Sequence, residues 1–89
     1  MTFQAEVFVT LKPVVNDPEG LTIRQGLRAL GYDTVTDVRS GKYLVLTLES
    51  PDRDTAQASL DEMARKLLAN AVIEDYRIQL TPVREAAAR

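Results

Sequence analysis

Val35-Thr36-Asp37-Val38-Arg39-Ser40-Gly41-Lys42-Tyr43-Leu44-Val45-Leu46-Thr47-Leu48-Glu49 is the stretch on which the fold turns. From Tyr43 to Glu49 apolar and other residues alternate, with Leu44, Leu46 and Leu48 on one face, as in a half-buried strand. Val35 to Arg39 reads as a second strand before it. Ser40-Gly41-Lys42 then supplies a short connection with a glycine free to take positive φ, and the pair is expected to form a β-hairpin.

Upstream, Phe3, Ala5, Val7, Val9 and Leu11 alternate with Gln4, Glu6, Phe8, Thr10 and Lys12, which predicts a first strand ending at Pro13. Asp17-Pro18-Glu19 provides an N-cap, a proline at the first helical position and an acid in the first turn. The helix that follows carries Ile23, Leu27 and Leu30 on one stripe, with Gly26 suited to close approach to a sheet and Gly31 to a left-handed C′ position. Downstream, Ser50-Pro51-Asp52 opens a second helix with Ala56, Leu60, Met63, Ala64 and Leu67 on its apolar stripe, closed by Asn70 at C′. Val72 to Thr81 predicts a last strand, with Val72, Tyr76, Ile78 and Leu80 on one face and Pro82 ending the pairing.

Strand, helix, strand, strand, helix, strand is the order of the split βαβ, ferredoxin-like unit. Right-handed crossovers would put both helices on one face of a four-stranded, largely antiparallel sheet. The other face is left bare. Phe8, Tyr43 and Val45 point to it by alternation and are the candidates for self-association.

With 89 residues there is room for one core, expected over residues 1–82, and Arg84 to Arg89 reads as a polar tail, so that 83–89 is expected to be flexible. A chain of this size buries roughly 60–65% of the surface that its unfolded form exposes, so association is a natural source of added stability. The composition, 45% hydrophobic and 27% charged, is that of a folded soluble domain. The amino terminus has neither the basic nor the apolar segment of a secretory signal, and a cytoplasmic location is expected.

No cysteine and no histidine are present, which removes the thiol nucleophile, the commonest general base and the commonest metal ligand. The glycines stand alone, so no GxGxxG or P-loop can cradle a phosphate. Glu74-Asp75 are neighbours on a strand and point to opposite faces, which rules out convergence on one substrate atom. A net charge of −2 gives no general attraction to nucleic acid or to anionic membranes, and a partial likeness of Ser40 to Val45 to an RNA-recognition strand lacks the aromatic platform. No cofactor and no metal site is expected on this chain.

Val7 to Lys12, Asp17-Pro18-Glu19-Gly20, Asp37 to Tyr43 and Lys66 to Tyr76 together resemble the small PurS subunits of bacterial and archaeal phosphoribosylformylglycinamidine synthase, in order, spacing and chain length. The resemblance implies a role in de novo purine biosynthesis, in an enzyme that makes the amidine from formylglycinamide ribonucleotide, glutamine and ATP. In that family a glutaminase subunit releases ammonia and a large synthetase subunit, which holds ATP and magnesium, consumes it. The small subunit self-associates, as dimer or tetramer, and bridges the two. A bridge keeps a small and easily lost intermediate at high effective concentration. Arg39, Gly41, Lys42 and Tyr43, with Asn70, Glu74, Asp75 and Tyr76, are the candidate docking residues for these partners. For Asn70 and Gly41 turn and cap geometry is the favoured explanation. Two rivals share the fold: a regulatory module binding a small metabolite at an oligomer interface, and a small phosphatase, for which the phosphate-cradling loop is missing.

Overall fold

The computed structural model describes residues 1–83, and the expected polar tail lies outside the described residues except for Val83. The elements are β1 (Thr2–Leu11), α1 (Pro18–Ala29), β2 (Gly41–Glu49), α2 (Arg53–Met63), a π-helical turn (Ala64–Leu68) and β3 (Glu74–Pro82). Among the described residues the sheet has three strands in the order β2-β1-β3, antiparallel throughout.

The expected four-stranded sheet is therefore overturned, and the hairpin with it. Register gives the reason: Gly41 pairs with Thr10 at the far end of β1, so β2 is already in the sheet where a hairpin would still be turning. Val35 to Ser40 forms no strand, and its end is bonded instead to the segment that follows β1, Arg39 to the Lys12 and Val15 carbonyls and Ser40 to Asp17. Gly41 is not a positive-φ residue either; that conformation belongs to Gly31, at +98°. A Cβ on Gly41 would fall 2.3 Å from the Val9 carbonyl oxygen, so its glycine serves close strand approach instead.

One face of the sheet is the core. Phe3, Ala5, Val7 and Val9 project from β1 and are at most 1% exposed. Cross-strand neighbours flank them, Leu44, Leu46 and Leu48 from β2 and Tyr76, Ile78 and Leu80 from β3. Ala56 and Leu60 of α2 and Ala64 at the start of the π turn are fully buried, and small residues at two of these three positions let the helix approach the sheet closely. The N-cap Asp52 accepts a hydrogen bond from the Thr55 N–H (2.7 Å).

Past Met63 the helix widens, and the Ala69 N–H reaches the Ala64 carbonyl, five residues back. One extra residue in the turn rotates the register: Ala69 enters the core and Leu67, expected on the stripe, is left 84% exposed. Asn70 does not take the left-handed C′ conformation expected of it, since no non-glycine residue among the described residues has positive φ.

The second correction concerns α1. Its local signals hold: Asp17 caps it, Pro18 begins it, and Gly31 and Tyr32 close it with N–H bonds to the Arg28 and Leu27 carbonyls (3.0 Å each). It does not lie on the sheet. Neither cluster of buried core residues contains a residue of α1, and nothing stands within 4 Å of a Cβ built on Gly26. Residues 12–40 form an arm that leaves the end of the sheet, with Ile23 and Leu30 exposed at 44% and 76%. The radius of gyration is 16.9 Å, against about 12 Å for a compact chain of this length, and the extents are 49 × 32 × 15 Å.

Candidate docking surface

Strand register collects most of the expected docking residues at one end of the sheet. β1 ends at Leu11 opposite Glu74, Thr10 faces Gly41 and Asp75, and Val9 faces Lys42 and Tyr76. Arg39 and Asn70 lie just beyond this end, so residues distant in sequence share one border. Lys12, the residue after β1, and Asp75 of β3 form a 2.7 Å ion pair. Together with Arg65, Ala71, Glu74 and Tyr76 they line an open depression of about 350 Å³.

Several of these residues have structural duties as well. The guanidinium of Arg39 donates to the Lys12 and Val15 carbonyls (3.0 and 2.8 Å). Lys42 Nζ approaches the Leu68 carbonyl at 3.4 Å, across to the end of the π turn. The Asn70 side chain accepts from the Val72 N–H (3.1 Å) and its backbone N–H donates to Glu74 (2.7 Å), so it organises the turn into β3. Sequence reasoning missed Lys12 and Arg65, whose place in the depression depends on strand register and on the π turn.

On the opposite face Phe8 and Tyr43 are cross-strand partners with ring centroids 5.1 Å apart, and Arg77 stacks over Phe8 at 4.2 Å. The Tyr43 hydroxyl donates to Glu6 (2.5 Å), and that bond pushes the phenol above its ordinary range. Val45 lies next along β2 on this face and is 50% exposed. Phe8, Tyr43 and Val45 are thus brought together, within a polar surround of Gln4, Thr10, Thr47 and Gln79.

A third feature lies at the root of the arm. Asp17, only 6% exposed, accepts from the N–H groups of Gly20 (2.9 Å) and Ser40 (2.6 Å). Those two bonds, aided by the charge of Arg39, hold its carboxyl below the usual carboxylate range. The Ser40 hydroxyl in turn donates to Glu19.

Comparison with known proteins accords with this geometry. The family model for PurS, described as phosphoribosylformylglycinamidine (FGAM) synthase, matches residues 4–82. The PurS subunit of phosphoribosylformylglycinamidine synthase from Synechocystis is 48% identical over 96% of this chain and 85% of its own. The crystal form of Bacillus subtilis PurS superposes with a TM-score of 0.81 at 45% identity, covering 90% of this chain and 99% of that one. A chain of the PurLQS structure from Thermotoga maritima gives 0.84 at 28% identity, with 91% and 99% covered. With the family model matching residues 4–82 and relatives matching it almost end to end, the chain belongs to the PurS family.

Proposed function

We propose that this chain is the assembly subunit of a cytoplasmic phosphoribosylformylglycinamidine synthase, bridging a glutaminase and an ATP-dependent synthetase so that ammonia passes between them without loss to solvent. The observation that carries the reading is its family: relatives named as PurS subunits match it almost end to end, and one matching chain comes from a PurLQS structure. The chemistry supports the same division of labour. A chain without cysteine or histidine has neither thiolate nor imidazole for glutamine hydrolysis, and ATP and magnesium belong with the synthetase.

Self-association is part of the proposal. The α1 stripe of Ile23, Leu27 and Leu30 and the ridge of Leu44, Leu46 and Leu48 are apolar, complementary in length and uncovered or half-covered in the single chain. A second copy that lays its α1 on this ridge buries both, and reciprocal exchange closes the pair with two-fold symmetry. The open face at Phe8, Tyr43 and Val45 is the surface we assign to contact between such pairs. The metabolite-binding alternative has no comparable feature in its favour.

For the partners we assign the end of the sheet at Arg39, Lys42, Glu74, Asp75 and Tyr76. Size-exclusion of the chain mixed with the two catalytic subunits is expected to show co-elution, and Lys42→Glu with Asp75→Lys to weaken it at least tenfold. Undiminished co-elution by that variant would remove the sheet end from the docking surface.

A further inference from the structure

The ridge and the helical stripe that fits it belong to the same chain, and the tether between them is long enough to join them. Residues 31–40 span roughly 33–36 Å when extended, ample for α1 to fold back over its own sheet. A helix tethered this way has an effective concentration in the mM range, and would displace a second copy at ordinary protein concentrations. For exchange to win, the arm must be held off its own sheet.

The root of the arm is built to do that. Asp17 takes one N–H from the start of α1, at Gly20, and one from the end of the returning segment, at Ser40. Arg39 on the returning segment binds two carbonyls of the outgoing one, Lys12 and Val15. The segments also touch through backbone, since a Cβ on Gly20 would lie 2.2 Å from the Val38 carbonyl oxygen. Outgoing and returning chains are thus fixed to each other immediately past the sheet, and α1 continues away from it.

We propose that Asp17 and Arg39 are positioning residues that commit α1 to a second copy of the chain, by preventing it from closing over its own Leu44–Leu48 ridge. This rests on the self-association reading above.

The absence of cysteine makes the test clean. The full chain carrying Leu27→Cys and Leu46→Cys, oxidised mildly, is expected to run mainly as a disulfide-linked dimer on a non-reducing gel. Adding Arg39→Ala, at an exposed position, is expected to move at least half of the oxidised product to the intrachain, monomer-sized form; Arg39→Lys, which keeps a cationic donor, restores part of the dimer. Asp17→Ala shifts the product the same way, with circular dichroism reporting any loss of α1. An unchanged dimer fraction in the Arg39→Ala chain overturns the clamp and leaves self-association standing. Failure of the clamped chain to give any interchain product overturns both.

Discussion

A chain carrying Ile23→Lys and Leu27→Lys is expected to keep the folding stability of the single chain, compared at dilutions where the unsubstituted chain is also monomeric, and to lose self-association by at least a hundredfold. The two positions are solvated in the single chain, Ile23 at 44% exposure and Leu27 partly exposed, and neither belongs to a core cluster. Exposed substitutions of this kind change stability by about 0.5 kcal/mol or less. Lysine is a good helix former and favours the carboxyl end of the helix dipole, so α1 itself is not weakened. In the assembled form the same ammonium groups would be forced between α1 and a leucine ridge, where an unpaired charge costs several kcal/mol. A hundredfold rise in the dissociation constant needs only ~2.7 kcal/mol. Sedimentation velocity reads the association, and a thermal melt at a dilution where both chains are monomeric reads the folding. Were α1 packed on its own sheet, the melt would fall by many degrees and the association state would be the lesser casualty.

Leu60→Ala is expected to cost about 2–5 kcal/mol of folding stability, the range for a fully buried leucine whose cavity cannot collapse. Leu60 is 0% exposed and packs against Phe3, Ala5 and Leu80, where the helix meets the centre of the sheet. Net stability for a chain of this size is on the order of 5–10 kcal/mol, so the loss is a large share of the whole. Leu67→Ala, one heptad on, is expected to cost less than about 0.5 kcal/mol in the isolated chain. A regular helix through residue 67 would place both leucines on one stripe with similar costs. The contrast, read from urea unfolding midpoints, therefore tests the π turn that rotates Leu67 out to 84% exposure.

Local chemistry was legible in the sequence wherever it acts within a few residues. The alternation of β1, the cap Asp17, the helix start at Ser50-Pro51-Asp52, the stripe Ala56-Leu60-Ala64 and the positive φ of Gly31 all follow from neighbouring side chains. Gly41 shows where this stops. A glycine between two apolar runs suggests a turn, whereas here it admits the Val9 carbonyl oxygen, a long-range contact that spacing does not record. Val35 and Val38 stand three apart rather than two, a warning against a strand that composition alone does not give.

The arm was the larger omission. An amphipathic helix declares that one face is to be buried, but not which chain buries it, and the split βαβ order supplied an intramolecular answer that the single chain does not adopt. Family resemblance carried the function, while the gathering of Lys12, Arg65, Glu74, Asp75 and Tyr76 into one depression needed three-dimensional register. Arg39 stood out in the sequence only as a docking candidate; its grip on two carbonyls of the outgoing chain was not legible there.

The central claim, that the chain links two catalytic partners rather than catalysing a reaction itself, is tested most directly by glutamine-dependent amidine synthesis. The purified glutaminase and synthetase are assayed with and without this protein, and the chain is assayed alone. Glutamine-dependent synthesis is expected only when all three are present, with no reaction from the chain alone. Full glutamine-dependent synthesis by the two catalytic subunits without it would contradict the claim.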